Sequence, residues 1–493
     1  MGESASTKNF PHIAICPSAG IGHLVPFLRL ASMLSSSKCK VTLVTIQPTL
    51  SIAETNQIST FLSSHPHVNS LDIPLQCQPP LISTNANNAS TTTSKGSGPD
   101  PFMLRYDAVS RSAHLLTHHL STLSPPPSAV FSDIMLVSGF NQALADLGIP
   151  NYVLITTSTR FFSLTTYLLL EGATQDSTMP KLELNNSLDE EVEIPPGLAT
   201  VPKSSIPPPF FNPNHIFTKM LASNSLALYK VNGIVFNSFN SFELETISAL
   251  QERKVLSNLP PIFPIGPLKP FVNEKQGVYP YTKWLDEQPN KSVLYISFGS
   301  RTAMNQEQIQ ELGVGLEKSG VRFLWVIKTT TVDKDEKVDS VDELLGEGFL
   351  DRTKERGLVV KEWVDQEVIL DHPAVGGFVT QCGWNSVMEA AQRGMPVLAW
   401  PQHGDQKVNA WVIQKAGLGV WEKEWGWVGQ KLVKAEVIAD KIKEVMNSEE
   451  LRRTASKVGE EAGKTWDANN GGSSNRMLNN LISSIESATN LKS

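Results

Sequence analysis

Apolar residues along this chain fall into short continuous runs, separated by stretches in which they recur at helical spacing. PHIAIC (11–16) and VTLVTIQ (41–47) are runs of the kind carried by parallel strands buried on both faces. Between them, HLVPFLRLASMLSSS repeats its apolar residues every three or four positions, which predicts a helix with one buried side. Together they predict a strand–turn–helix–strand unit, the opening of a parallel α/β sheet. Further strands are predicted at AVFSDI (129–134), NYVLIT (151–156) and NGIVFNS (232–238), with helix-like segments between them. Residues 81–99, rich in Ser, Thr, Asn and Gly, predict a surface loop.

Residues 256–272 are dense in proline and lack a helical period, so they predict a linker. All ten tryptophans, Trp284 through Trp466, lie beyond it. A second alternating series follows: SVLYISF, the helical EQIQELGVGLEKSG, RFLWVIK, GLVVKEW, GGFVT and PVLAW. The pattern predicts one α/β domain over 1–255 and a second over 273–470, each with a parallel sheet. The tail, 471–493, reads as an amphipathic helix able to pack back on the first domain. Ligands of such sheets sit beyond the strands' carboxyl ends, so a cleft between the domains is the expected site.

Composition narrows the class. With 493 residues, 40% hydrophobic and 18% charged, the chain has ample core for two domains. A net charge of −7 and no basic block argue against nucleic acid or an anionic membrane as partner. No apolar run is long enough to span a bilayer. The N-terminus has no charged and apolar signal pattern, and its Met-Gly-x-x-x-Ser match at Gly2 is short and without polybasic support. Cys16, Cys39, Cys77 and Cys382 are irregularly spaced, as in a reduced chain. A cytoplasmic monomer is expected, and the sequons at Asn88 and Asn185 are read as coincidence.

The most informative stretch is GGFVTQCGWNSVMEAAQRG. A strand is predicted to end at Thr380, a tight turn to use Gly383, and a helix to begin near Asn385 and stop at Gly394. A helix N-terminus binds phosphate through its N–H groups and partial positive charge, and Asn385 and Ser386 add side-chain donors. Ordinary N-capping would use the same residues. The neighbours favour a ligand. Glu389 lies one turn deeper on the same helix face, where a carboxylate suits the hydroxyls of a ribose. Trp363 and Gln366 follow GLVVKE, and an indole there can stack on a base. Asp405 and Gln406 follow PVLAW, placed to take sugar hydroxyls.

The run Trp363–Gln406, WVDQEVILDHPAVGGFVTQCGWNSVMEAAQRGMPVLAWPQHGDQ, resembles the signature box of plant UDP-dependent glycosyltransferases and has its length. GHLVPF near the N-terminus, WLDEQPNKSVLYISFGS, the Pro-rich linker and the tail are similar to that family too. The resemblance implies the GT-B fold, two Rossmann-like domains facing a cleft. It also implies metal-independent, inverting transfer from a UDP-sugar, with no cofactor beyond that co-substrate. Carried over, Trp363 would stack on uracil, Val364 would meet it by backbone, and Gln366 and Glu389 would hold the ribose. Gln381, Gly383, Asn385, Ser386 and Ser300 would line the diphosphate, and Thr156, Trp384, Asp405 and Gln406 the sugar. Gln406 at the box's last position leans towards glucose. Gln381 departs from the family, which usually has His there.

In PSAGIGHLVPF, His23 follows a glycine-rich turn at the end of the first strand. An imidazole suits proton abstraction from a phenol, and Asp133, ending another strand, can accept from its second ring nitrogen. The family's catalytic pair occupies matching positions. The turn lacks the third glycine of a dinucleotide site, which argues against an NAD-dependent oxidoreductase. Phe102, Tyr106, Met135 and Phe161 are candidate acceptor-pocket residues, though each judged singly reads as core rather than pocket. WVDQ, the PQHGDQK ending and the DPF at Asp100–Phe102 look most like the plant C-glycosyltransferase branch acting on flavonoids. The expected reaction is therefore C-glucosylation of a small phenolic acceptor. Flavonoid O-glucosylation stands as the alternative, with a sugar-nucleotide epimerase or a non-catalytic UDP-sugar binder further off.

Overall fold

Two parallel sheets carry the fold in this computed structural model. It describes residues 10–47, 51–75, 105–106, 108–109, 111–174, 190–195, 197–271, 279–299, 304–328 and 341–490. Gly2, Cys77, the 81–99 loop, Asn88, Asp100, Phe102, Asn185 and Ser300 lie outside these residues. The first sheet consists of β1 (His12–Cys16), β2 (Lys40–Gln47), β3 (Val68–Pro74), β4 (Ala129–Asp133), β5 (Asn151–Ile155), β6 (Gly233–Phe236) and β7 (Ile262–Pro264). Its order is β3-β2-β1-β4-β5-β6-β7, all parallel. The second consists of β8 (Val293–Ser297), β9 (Arg322–Val326), β10 (Gly357–Val360), β11 (Val375–Thr380), β12 (Val397–Ala399) and β13 (Gly419–Trp421). Its order is β10-β9-β8-β11-β12-β13, also all parallel.

Every residue of β1, β4, β5, β8 and β11 is buried, which is why these strands read as unbroken apolar runs. The edge strands behave differently. In β3, VNSLDIP leaves several residues exposed, so it has no apolar run to betray it. β7 falls inside the stretch read as a linker. Its one proline, Pro264, is tolerated because this is the last strand of the sheet, with only one neighbour to hydrogen-bond.

Helix α1 (Ile21–Ser36) joins β1 to β2 and packs Leu24, Phe27, Leu28 and Ala31 into a core with Ile13, Ile15, Val41 and Leu43. The C-terminal helix, Ser473–Asn490, returns to the same core through Leu478, Leu481, Ile482 and Ile485. Under the second sheet, helix Ala435–Asn447 supplies Ile438, Ile442 and Val445. A separate apolar cluster runs across the cleft, from Met135, Phe161, Phe210, Phe239 and Phe242 to Trp384, Val387 and Trp411. Among the described residues no helix is long and apolar enough to cross a membrane.

Strand order reverses between β1 and β4 in one sheet and between β8 and β11 in the other. Crevices at such switch points, outside the carboxyl ends, are where doubly wound sheets take ligands.

Candidate active site

The first switch point holds His23. Gly20 caps α1 at φ 99, a conformation that glycine adopts without penalty. Its N–H donates to Glu54 Oε1 at 2.5 Å, which pins the turn to the neighbouring helix Ile52–Ser64. His23, third residue of α1, stands a quarter exposed with Nδ1 2.7 Å from Asp133 Oδ2. Asp133 ends β4 and is fully buried; its other oxygen accepts the Met135 N–H at 2.9 Å, so the carboxylate cannot turn away. A carboxylate accepting from Nδ1–H puts the basic lone pair on Nε2. Thr156 Oγ1 lies 3.1 Å from Nδ1, on the same side as the aspartate.

The second switch point is the turn from β11 into the helix Trp384–Arg393. The left-handed residue of this turn is Cys382 (φ 70), while Gly383 has an ordinary φ of −59. A strained non-glycine backbone is held here by the Thr380 hydroxyl, 3.3 Å from the Cys382 N–H, and by Asn409 Nδ2, 3.0 Å from the Cys382 carbonyl. Glycine at 383 has a different reason. A Cβ there would stand 3.1 Å from Gln381 Nε2, and one at Gly299, after β8, only 2.2 Å from it. The Gln381 amide therefore fills the gap between the two turns, its oxygen accepting from Thr380 Oγ1 at 3.0 Å. The helix that follows has no side-chain cap and no acid in its first turn, so the N–H groups of Trp384–Ser386 face the crevice end without helical partners. A helix start of this kind suits an anion.

The two sites are joined directly. Pro26 inside α1 has no N–H, so the carbonyl of Gly22, four residues earlier, loses its helical donor. Asn385 Nδ2 takes that place at 3.1 Å, linking the helix that follows β11 to the residue beside His23. Deeper along that helix, Gln366 Nε2 donates to Ser386 Oγ at 3.0 Å and to Glu389 Oε2 at 2.6 Å. Trp363, half exposed, follows β10 with Lys328 Nζ 4.8 Å from its ring centre, while Val364 is buried. Asp405 Oδ2 accepts from Thr157 Oγ1 at 2.5 Å and from Asn409 Nδ2 at 2.8 Å; neither bond uses Oδ1. Gln406 spends its oxygen on the N–H groups of Gln402 (2.9 Å) and His403 (3.0 Å), and its Nε2 lies 3.5 Å from His403 Nδ1.

A family model described as "UDP-glucoronosyl and UDP-glucosyl transferase" matches residues 272–457. The chain is 49% identical to UDP-glycosyltransferase 708C1 of Fagopyrum esculentum, over 98% of this chain and 97% of that one. It belongs to the UDP-glycosyltransferase family. A rice relative (Oryza sativa subsp. japonica) named UDP-glycosyltransferase CGT is 43% identical, over 97% of this chain and 96% of that one. Among solved structures, LpCGTa in complex with UDP superposes with a TM-score of 0.78 at 40% identity, covering 97% of this chain and 99% of that one. The fold is accordingly GT-B, and structures of its neighbours hold UDP.

In this UDP-glycosyltransferase the remaining candidates are placed as follows. Trp384 is buried, its indole N–H donating to the Asn237 carbonyl at 2.8 Å and its ring against Phe242 at 6.1 Å. Its side chain thus fastens the two domains, and only its backbone N–H remains to meet a sugar. Tyr106, Met135 and Phe161 share one buried cluster, with the Tyr106 hydroxyl 3.3 Å from Ser18 Oγ.

Sequence reasoning missed several residues that bridge the cleft. Arg29 on α1 pairs with both Glu367 and Glu389 and is almost wholly buried. Burial raises the pKa of Glu367 against the pull of Arg29, and the neighbouring Glu389 adds to the rise. Lys407 Nζ donates to the Ser204 carbonyl at 3.2 Å and sits 4.3 Å over the Trp427 ring, and burial lowers its pKa to about 8. Arg160 lies 5.5 Å from the Trp411 ring, and burial lowers its pKa to about 10. A lone cation in an amphipathic segment reads as surface. Nothing short of a docked second domain distinguishes these.

Proposed function

We propose that this enzyme transfers glucose from UDP-glucose to an aromatic carbon of a phenolic acceptor, of the 2-hydroxyflavanone or dihydrochalcone type, with inversion at the anomeric carbon. The observation that carries the reading is the 2.7 Å His23–Asp133 bond, beside a helix start that is tied to it through Asn385 and Gly22. His23 Nε2 takes the phenol proton as Asp133 stabilises the imidazolium. The negative charge spreads from oxygen onto the adjacent ring carbon. That carbon bonds the sugar's C1 as the C1–O bond to the diphosphate breaks, its electron pair leaving with UDP. Loss of the ring hydrogen as a proton restores aromaticity. In-line attack on an α-linked donor yields a β-C-glucoside.

The leaving diphosphate develops charge where the Trp384–Arg393 helix presents N–H groups, joined by Asn385, Ser386 and the Gln381 amide, with Ser300 as a further contributor. Trp363 stacks on uracil with Val364 at its edge, Gln366 and Glu389 take the ribose hydroxyls, and Thr156, Asp405, Gln406 and the Trp384 N–H take glucose. Met135, Phe161, Tyr106 and Phe102 contact the acceptor. Carbon rather than oxygen attack is supported by the relatives named CGT. The test is to incubate the protein with UDP-glucose and a dihydrochalcone and to fragment the product by mass spectrometry. Cross-ring cleavage of the sugar supports the proposal; loss of the intact hexose means an O-glucoside and refutes carbon attack.

A further inference from the structure

Arg29 is a permanent charge 2% exposed to solvent, yet only one of its three guanidinium nitrogens is used. Nη2 donates to Glu389 Oε1 at 2.5 Å and to Glu367; Nε and Nη1 are buried with no hydrogen-bond partner among the described residues. Burying a cation whose donors are half satisfied lowers stability, and an apolar side chain of similar size would commonly serve the packing as well. Stability therefore does not account for this residue. Its place in the fold does. Helix α1 is fastened to the Trp384–Arg393 helix at two points: the Gly22 carbonyl, freed by Pro26 and held by Asn385, and Arg29, held by Glu389. Gly22 and Arg29 stand two helical turns apart, and Asn385 and Glu389 one. Two such anchors fix both the slide and the rotation of one helix on the other, and His23 sits beside the first.

We propose that Arg29 is a positioning residue that holds the ribose-binding carboxylate of Glu389 in place and locks it to the helix carrying His23. Donor grip and base placement then become one event. This deepens the UDP-sugar reading and rests on it.

The charges around Glu389 define what Arg29 does. Glu367 faces it from the short helix Gln366–Leu370 and Tyr295 from β8, while Asp365, which caps that helix, acts on Glu367 and Tyr295. Arg393, on its own helix, binds the Glu389 backbone carbonyl at 3.2 Å while its guanidinium is paired with Asp371. Arg29 alone among the described residues bonds both the Glu367 and Glu389 carboxylates. Without it, the buried Glu389 and the partly exposed Glu367 face each other with Arg393 as the remaining cation, and their like charges push apart. Burial raises the pKa of Glu367, so this repulsion grows as rising pH ionises it, and Glu389 is displaced from the ribose.

The test is calorimetric titration of the full chain with UDP, from about pH 6 to about pH 9, for wild type and the variants Arg29→Met, Arg29→Lys, Glu389→Gln and Arg29→Met with Glu367→Gln. Arg29→Met is expected to weaken UDP binding by about 10-fold or more near pH 7, with the loss growing towards pH 9 as Glu367 ionises. Adding Glu367→Gln removes the competing carboxylate and should restore roughly 3-fold or more of that loss. In turnover, Arg29→Met should raise KM for UDP-glucose and also lower kcat. A role confined to packing would change the melting temperature but would give neither the pH dependence nor the rescue. UDP affinity within about 2-fold of wild type, or a loss equal at both pH extremes and not rescued, overturns the proposal. If Arg29→Met does not fold, Arg29→Lys replaces it; its single ammonium cannot serve both carboxylates equally, so about 3-fold weaker binding is expected and an unchanged affinity overturns the proposal. A wild type that does not bind UDP, or a Glu389→Gln variant that binds it unchanged, overturns the UDP-ribose reading instead.

Discussion

Replacing Asp133 by Asn tests the base directly. The substitution keeps the size of a side chain that is fully buried and keeps an oxygen for the Met135 N–H, now accepted at 2.9 Å. What changes is the 2.7 Å partner of His23 Nδ1. A carboxylate can only accept, and so keeps the proton on Nδ1. An amide turned to keep the Met135 bond presents its NH2 to the ring and forces the proton onto Nε2, where it blocks the acceptor. The lost charge-assisted bond to the developing imidazolium is about 1.5–3 kcal/mol. At 1.36 kcal/mol per tenfold, that alone is roughly 10- to 150-fold in rate. The wrong tautomer adds to it, for a total of about 10³- to 10⁴-fold in kcat. The assay is steady-state turnover at saturating UDP-glucose, paired with UDP titration. Asp133 makes no hydrogen bond to the helix after β11, so UDP affinity should stay within about 2-fold. A kcat loss below about 5-fold, or a loss that appears equally in UDP binding, refutes the orienting role.

Three further outcomes are expected. Gln381→His should tighten UDP binding by about 5-fold below the imidazole pKa, where a charged donor replaces a neutral one, and the gain should fade at higher pH; titration at two pH values checks it. Trp363→Ala should weaken UDP binding by about 1–3 kcal/mol through lost base stacking, with an unchanged melting temperature because the ring is half exposed. Lys407, lowered to about 8 by burial, binds fewer protons folded than unfolded between that value and the ordinary lysine range. Stability should therefore rise with pH across that window, and Lys407→Met should flatten the rise and raise the melting temperature at neutral pH; thermal melts across pH check both.

Much of this fold was legible because its central strands are buried on both faces. HIAIC and VGGFVT cannot be mistaken for anything exposed, and the helices between them keep their period. Edge elements were not legible. VNSLDIP shows too little apolar pattern, and Ile262–Pro264 hides between prolines that an outermost strand tolerates. The turn after β11 was located, but its left-handed residue is Cys382, held by tertiary hydrogen bonds that no local rule anticipates. His23 and Asp133 could be paired from the sequence because both end or follow strands of one sheet. Arg29 could not, since its partners belong to the other sheet and lie more than three hundred residues away.

The proposed reaction joins the sugar to the acceptor ring through a carbon–carbon bond. UDP-glucose labelled with carbon-13 at C1, incubated with an acceptor labelled with carbon-13 around the phenolic ring, makes that bond visible by NMR. The expected result is a direct one-bond carbon–carbon coupling at the anomeric carbon of the wild-type product, and no product from the His23→Ala variant. An anomeric carbon without that coupling, joined to the ring through oxygen, would contradict it.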